Sequence, residues 1–168
     1  MPSIEEAMHT KIAEGLVFHY MRHTDTIGMW YNGTRIPRIK ENKLACSGSR
    51  QFFRVGPYFI KAEEANPYSQ CANEAWKAGK IRPKDQQYFA ELLACSDFGA
   101  DEPVHWTMFP FYKLRRCTNS EIIQVCRKQV KRLCYKYNIY DVVSGCNINW
   151  FVRNGRPFIV DYGVDGYR

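Results

Sequence analysis

The sequence predicts an α+β fold, in which an antiparallel sheet is combined with a few helices. Two strand–turn–strand patterns, at 51–62 and 147–163, favour the sheet, because each has apolar runs on both sides of a Gly-containing turn. A third observation is the segment 119–137, whose apolar residues recur at helical spacing. The chain has 168 residues, 45% of them apolar, which suits one domain with a sizeable core.

The composition narrows the class of protein. The formal net charge of +7 favours contact with something anionic: nucleic acid, a nucleotide or an acidic protein surface. No window approaches the roughly 18 apolar residues of a membrane span, and the N-terminus is acidic where a secretory signal is basic, so we expect a soluble cytoplasmic protein without membrane contact. The seven cysteines form no C-x-x-C pair, which disfavours a zinc site and predicts reduced, mostly buried thiols.

The N-terminal segment predicts a helix from Ile4 to about His23. Ser3 is its expected N-cap, and Glu6, three positions on, completes a capping box. In such a helix His19 and His23 lie four apart on one face. They are either a metal pair or, more commonly, two solvated or capping histidines.

The next segment, 24–43, is polar and rich in turn residues, and its clearest turn is Asn32-Gly33. Strands are predicted at 51–55 and 58–62, on either side of a Gly-Pro turn. The second of these strands is the more apolar.

Lys61 lies near the end of that apolar strand and could direct its ammonium out of the sheet toward a ligand. A helix is predicted at 63–80, interrupted early by Pro67, and Glu74 on this helix could pair with Lys61. The alternative is an exposed lysine and an unrelated, solvated glutamate.

The middle of the chain is less regular. The segment 86–98 is ambiguous by its periodicity and fits either a helix or an apolar strand. A strand is predicted at 105–112 and a long helix at 119–137, with basic residues covering the polar side of the helix. Asp141 follows in a polar loop.

The closing hairpin is the most informative feature of the sequence. With Asn154-Gly155 as a two-residue turn, Asn147 falls opposite Tyr162, and one bulged residue would set it opposite Asp161. An Asn and an Asp at the open end of a hairpin could share Mg²⁺, which prefers hard oxygen ligands. The alternative is an ordinary strand end and turn, because one Asp-aromatic-Gly triplet is a weak motif.

The order of these features resembles the protein-kinase-like superfamily, and most closely its aminoglycoside-phosphotransferase-like and small phage kinase-like branches. In those families the order is a Ser/Gly turn, a strand Lys, a helix Glu, a strand pair with a hinge, a helix, a catalytic-loop Asp and Asn, and a hairpin that ends in Asp. The resemblance covers about residues 44–163 and is strongest over 141–163. It implies that 86–98 is largely a strand before the hinge.

The resemblance implies a role for each candidate residue in handling ATP and Mg²⁺. Lys61 would contact the α and β phosphates, Glu74 would hold Lys61, and Asp141 would be the catalytic-loop acid. Asn147 and Asp161 would bind the metal. The nucleotide would also meet a phosphate-side turn and an adenine-side hinge, at Ser47, Gly48, Ser49, Phe109 and Phe111.

The implied architecture is a kinase-like N-lobe, an antiparallel sheet plus a helix, with a strongly reduced C-lobe that ends just after the metal-binding hairpin. We expect one domain over 1–168. Within it, 1–43 would be an N-terminal helix and extension, 44–113 the sheet lobe and hinge, and 114–168 a helix, a catalytic-type loop and the hairpin.

These features lead us to expect one of three functions for the chain. The first is a minimal Ser/Thr-type kinase that binds nucleotide and phosphorylates a protein. The second is an inactive pseudokinase that docks on another protein and modulates or inhibits it, in the host cytoplasm if the chain is of phage origin. The third, less favoured, is a nucleic-acid binder that uses the basic helix and neighbouring aromatic side chains. The sequence leaves the oligomeric state open.

Overall fold

The computed structural model describes residues 3–39, 50–116, 127–139, 150–160 and 162. The fold is α+β, with helices beside antiparallel sheets, as the sequence predicts. The described residues divide into two compact units. The first contains 3–39, 50–72 and 92–111, and the second contains 73–91, 112–116, 127–139, 150–160 and 162. Among these residues, no helix is both long enough and apolar enough to cross a membrane.

Helix α1 spans Ile4–Glu14 and begins with the predicted capping box. The Ser3 hydroxyl accepts a hydrogen bond from the Glu6 N–H (3.1 Å), and the Glu6 carboxylate accepts one from the Ser3 N–H (2.6 Å). The prediction that this helix continues to about His23 is wrong, because a strand begins at Leu16.

Strand β1, Leu16–Met21, replaces the second half of the predicted helix. Its aromatic residues Phe18 and Tyr20 pack against the core of the first unit, which a strand allows because alternate side chains share a face. His19 therefore lies in a strand, and the helical face that it was expected to share with His23 does not form.

Strands β2, Thr26–Tyr31, and β3, Thr34–Ile36, complete a sheet of order β1-β2-β3. The predicted turn at Asn32-Gly33 is confirmed, with φ of 46° and 78°, the left-handed pair that a tight hairpin requires. The strands on either side of it were not predicted, because the segment reads as polar and rich in turn residues.

The second sheet of the first unit is antiparallel, with the order β4-β5-β7-β6. Its strands are β4 Gln51–Val55, β5 Tyr58–Glu64, β6 Ala94–Cys95 and β7 Val104–Pro110. The predicted strands at 51–55, 58–62 and 105–112 are confirmed to within two residues at each end. In the β4–β5 turn, Gly56 has a φ of +55°, which explains why glycine stands there.

The two sheets of the first unit share one apolar core. Side chains alternate along β5, so Tyr58, Ile60 and Ala62 lie in this core. Lys61 and Glu63 project from the opposite face of the sheet. The candidate lysine is thus held by a strand whose other side is fixed by hydrophobic packing.

Helix α2 spans Gln70–Ala78 and is shorter than the predicted segment 63–80. Glu63 and Glu64 instead complete β5, where the backbone pairs with β7. The helix starts after Ser69, whose hydroxyl accepts a hydrogen bond from the Ala72 N–H (3.0 Å).

The second unit contains a 3₁₀ helix, helix α3 and a small antiparallel sheet of order β10-β9-β8. Their bounds are Pro83–Tyr88, α3 Arg127–Tyr137, β8 Arg115–Arg116, β9 Trp150–Arg153 and β10 Arg156–Ile159. Helix α3 confirms the C-terminal part of the predicted helix at 119–137. Residues 117–126 lie outside the described part of the chain.

The segment 86–98 is not largely a strand, contrary to the expectation from the resemblance. Its start belongs to the 3₁₀ helix, and only Ala94–Cys95 form a strand, paired with β7. Between them the backbone forms separate bonds: the Ala90 N–H donates to the Ile159 carbonyl (2.8 Å), and the Leu93 N–H donates to the Met108 carbonyl (2.8 Å).

Candidate functional site

Lys61 lies in β5, an interior strand of its sheet, and only 3% of its surface is exposed. Its neighbours in the register are Phe52 on β4 and Thr107 on β7. Its Nζ lies 4.7 Å from the centre of the buried Phe109 ring, within range of a cation–π interaction. The alternative of an exposed lysine is therefore wrong.

Aromatic rings follow one another from Lys61 toward the end of β7. Phe59 lies 6.4 Å from Phe111 and 5.5 Å from Phe52, with which it stacks. The guanidinium carbon of Arg54 lies 3.8 Å from the centre of the Phe111 ring, and Phe111 is 38% exposed. Both predicted adenine-side residues are thus on the unit that carries Lys61, one buried and one accessible.

The start of α2 is fixed to β5 by a buried carboxylate. Glu63 Oε1 accepts hydrogen bonds from the Ser69 hydroxyl (2.7 Å) and from the Cys71 N–H (2.6 Å). An anion at the first turn also complements the positive end of the helix dipole. The backbone carbonyl of Lys61 accepts a weaker bond from the Cys71 thiol (3.7 Å), so the lysine strand and the helix start are joined.

Glu74, on α2, is fully buried in the second unit. Its Oε1 accepts a hydrogen bond from the backbone N–H of Tyr162 at 3.4 Å. Tyr162 directly follows Asp161 in the sequence. The alternative of a solvated glutamate is therefore wrong, and the carboxylate binds the chain at the exit of the closing hairpin.

The hairpin has the predicted register. Arg153 lies opposite Arg156 and Trp150 opposite Ile159, with no bulge between these pairs. Asn154 and Gly155 form the two-residue turn with φ of 52° and 69°. The choice between the regular and bulged arrangements of the open end falls on residues outside the described ranges.

Buried contacts anchor Tyr162. Its hydroxyl donates to the Ala90 carbonyl (3.0 Å), its ring meets Phe89 edge-to-face at 5.5 Å, and its N–H reaches Glu74. Ile159, at the end of β10, bonds to the same 89–90 segment. The exit of the hairpin is thus fixed by buried contacts.

A buried lysine that the sequence did not single out lies on the same helix as Glu74. Lys77 donates from Nζ to the carbonyl of Asn138 (2.8 Å), which follows α3 and has a φ of +53°. A cation at the C-terminal end of a helix complements its dipole. The spacing of three between Glu74 and Lys77 was the available signal, since it sets both on one helix face.

Asp85 forms a second unpredicted network in the second unit. It is buried and accepts hydrogen bonds from the Lys136 ammonium and from the Tyr137 hydroxyl (2.6 Å). Bonding by Lys136, and then by Tyr137, holds the pKa of the Asp85 carboxyl below its ordinary value of 3.8. The Tyr137 hydroxyl also accepts the Arg82 N–H (3.1 Å), so the 3₁₀ helix is attached to α3.

Several of the predicted site residues lie outside the described part of the chain: Ser47, Gly48, Ser49, Asp141, Asn147 and Asp161. Their roles stay predictions, as does the Lys61–Glu74 ion pair. Within the described ranges no three His, Cys, Asp or Glu side chains group closely enough to hold a metal ion. Three cysteines are described, all reduced; Cys71 and Cys134 are buried, and Cys95 is exposed.

The chain was compared with known proteins by sequence. No model of a protein family matches it, and no curated protein matches it either.

Proposed function

We propose that this chain is a minimal kinase-like protein that binds ATP with Mg²⁺ and transfers the γ-phosphate to a protein hydroxyl. The observation that carries the proposal is the burial of Lys61. A lysine this deeply buried is rare, because removing an ammonium from water is costly unless it has a specific use or partner. Its position in an interior strand, with Nζ beside Phe109, suits a cation that meets phosphates at the edge of an aromatic site.

The order of the described elements supports the same proposal. A strand with a lysine, a helix with a glutamate, the antiparallel pair β6–β7, helix α3 and the β9–β10 hairpin follow one another as in the families that the sequence resembles. Apart from the segment 86–98, of which only Ala94–Cys95 form a strand, each of these elements is formed by residues expected to form it, although several bounds differ.

The hairpin exit gives a second line of support. Glu74 binds the backbone of Tyr162, and Asp161 is joined to Tyr162 by one peptide bond. In the proposal Asp161 and Asn147 bind Mg²⁺, which would neutralise charge on the transferring phosphate. Asp141 accepts the proton of the attacking hydroxyl, and Lys61 holds the α and β phosphates.

Nucleotide binding is the first test. The melting temperature of the purified protein is measured with and without ATP and Mg²⁺. We expect a rise of several degrees, because a ligand at about 100 times its Kd adds about 2.7 kcal/mol of stability. Lys61→Met abolishes this rise, whereas Lys11→Met, which changes an exposed lysine of α1, leaves it intact.

Phosphoryl transfer is the second test. The protein is incubated with γ-labelled ATP and with cell lysate, and labelled proteins are resolved. Transfer that disappears in Asp141→Ala and in Asp161→Ala supports the kinase. A melting shift without transfer favours the inactive, partner-binding alternative, and the absence of both overturns the nucleotide proposal.

A further inference from the structure

The positive charge of the chain is concentrated in one of its two units. In the described part of the first unit, seven Lys and Arg residues are outnumbered by nine Asp and Glu residues. The described part of the second unit contains 14 Lys and Arg residues and only three acidic residues. A net charge of +11 on so few residues is a strong anion-attracting field.

At the surface of the second unit the excess of basic over acidic residues is larger still, because most of its described acids are buried. Two of its three described acids, Glu74 and Asp85, are buried, and the third, Glu91, is exposed. Nine of its cations are exposed, among them Lys80 and Arg132. Within the described part of this unit, cations therefore far outnumber acids at the surface, although one of the nine, Lys136, is already bonded to Asp85.

Two large aromatic side chains are exposed on the same unit. Trp76, on α2, is 57% exposed, and Tyr135, on α3, is 67% exposed. Each is accompanied by a lysine: Lys80 Nζ lies 3.4 Å from the centre of the Trp76 ring, and Lys131 Nζ lies 5.9 Å from that of Tyr135. An exposed aromatic face beside a cation can stack a base while the cation meets the adjoining phosphate.

The helices that carry these pairs are joined by hydrogen bonds. Lys77, next to Trp76, bonds the Asn138 carbonyl just after α3, and the Arg82 N–H bonds the Tyr137 hydroxyl near the end of α3. Hydrogen bonds thus attach the end of α2, and the residues that follow it, to the C-terminal end of α3. The two aromatic–lysine pairs are supported by a scaffold and do not rest on free loops.

We infer that the second unit binds single-stranded nucleic acid, with Trp76 and Tyr135 stacking bases and the surrounding lysines and arginines binding the backbone phosphates. Charge alone would suit any polyanion. The exposed aromatic rings favour unpaired bases, because a duplex hides its base faces and the carboxylates of an acidic peptide offer no aromatic face for stacking. This inference does not depend on nucleotide binding at Lys61.

The test measures binding by fluorescence anisotropy with labelled oligo(U) and oligo(dT) of about 20 nucleotides and a mixed-sequence duplex of about 20 base pairs. Each is titrated at salt concentrations from about 50 to about 200 mM. We expect both single strands to bind more tightly than the duplex. Trp76→Ala and Tyr135→Ala each weaken binding about tenfold, which is the usual effect of losing one stacked base. Tyr68→Ala is the matched control, because Tyr68 is 91% exposed but lies on the first unit.

The charge contribution is tested by the double variant Lys131→Gln and Arg132→Gln. The slope of log affinity against log salt should fall in magnitude by about 1.4, at about 0.7 for each phosphate contact on a single strand. The control is Lys11→Gln with Arg22→Gln, which removes the same charge from exposed positions of the first unit and should leave the slope unchanged.

Four results would overturn the inference. They are no binding at the lowest salt, duplex binding as tight as that of the single strands, aromatic variants that bind like the parent, or controls as damaging as the test variants. Polyglutamate or anionic vesicles that compete as well as oligo(U) would also count against it, since they would reveal a surface that recognises charge only. Circular dichroism of each variant shows that it is folded.

Discussion

The backbone N–H of Tyr162 donates to Oε1 of Glu74 across 88 residues of sequence, and both residues are fully buried. The distance of 3.4 Å is at the long end for a hydrogen bond. A buried N–H without an acceptor is nevertheless costly, so this carboxylate has a structural part at the hairpin exit in addition to any part in binding nucleotide.

Glu74→Gln and Glu74→Ala should distinguish the structural role of Glu74 from its proposed role in nucleotide binding. Glutamine keeps an oxygen that can accept the Tyr162 N–H, whereas alanine leaves that N–H unsatisfied and opens a cavity. We expect alanine to lower the free energy of unfolding by about 1–3 kcal/mol and glutamine by clearly less, measured by urea unfolding.

The ATP-induced melting shift is then compared in the same two variants. If Glu74 also supports the phosphate-binding cation, glutamine reduces the shift although the protein remains stable. Equal destabilisation by glutamine and alanine would contradict the acceptor role, because it would mean that only the negative charge matters.

Asp85 should make the protein sensitive to acid. Its pKa is lower in the folded protein than its ordinary value of 3.8, chiefly through the hydrogen bond from Lys136 and next through that from Tyr137. The unfolded chain therefore binds the proton more readily. The ionised Asp85 therefore stabilises the folded protein fully when the pH is well above 3.8. This stabilisation is lost as the pH falls through the lowered pKa of Asp85 in the folded protein.

Asp85→Asn should flatten this dependence. The free energy of unfolding is measured in urea from about pH 7 to about pH 3, and the difference between parent and variant should narrow as the pH falls. Asp101→Asn, at an exposed acid of the first unit, should retain the slope of the parent. A constant difference between parent and Asp85→Asn at all pH values would show that Asp85 does not titrate in the way proposed.

Local chemistry made some elements predictable. The Asn-Gly turns at 32–33 and 154–155 need left-handed φ values that few residues adopt readily, so sequence alone locates them. The capping box at Ser3 is equally local. The boundary between α1 and β1 was missed because apolar residues at 16–21 fit either period, and pairing with β2 decides between them.

The residues of the candidate site likewise fall into those that the local sequence predicts and those that it does not. The strand of Lys61 and the helix of Glu74 could be predicted, since each belongs to a short segment with a clear pattern. The buried roles of Lys77 and Asp85 could not, because their partners are more than 50 residues away and depend on how the second unit packs. A sequence in isolation presents both as ordinary surface charges.

Glu63 should be essential to the start of α2. It accepts from both the Ser69 hydroxyl and the Cys71 N–H, so Glu63→Ala leaves two buried donors without their acceptor. We expect a loss of about 2–4 kcal/mol in the free energy of unfolding. Glu64→Ala, one residue on, removes an exposed carboxylate whose side-chain partner is the Tyr20 hydroxyl and should cost about 1 kcal/mol or less. Similar losses for the two variants would contradict a specific capping role.

Lys77 should stabilise the end of α3. Its ammonium is buried and donates to the Asn138 carbonyl, and the neighbouring Ile139 N–H bonds the Cys134 carbonyl (2.9 Å). Lys77→Met keeps an unbranched side chain that is one atom shorter but removes the donor, so we expect a loss of about 1–3 kcal/mol in the free energy of unfolding.

The matched control for Lys77 is Lys80→Met, at an exposed lysine three positions on. It removes only a surface cation–π contact with Trp76 and should change the free energy of unfolding by about 1 kcal/mol or less. Hydrogen exchange gives a second readout, because amides at 134–139 should exchange faster in Lys77→Met than in Lys80→Met. A Lys77→Met protein that is as stable as the parent would mean that relief from burying the charge offsets the lost hydrogen bond. If exchange at 134–139 were also unchanged, Lys77 would not be what holds the end of α3.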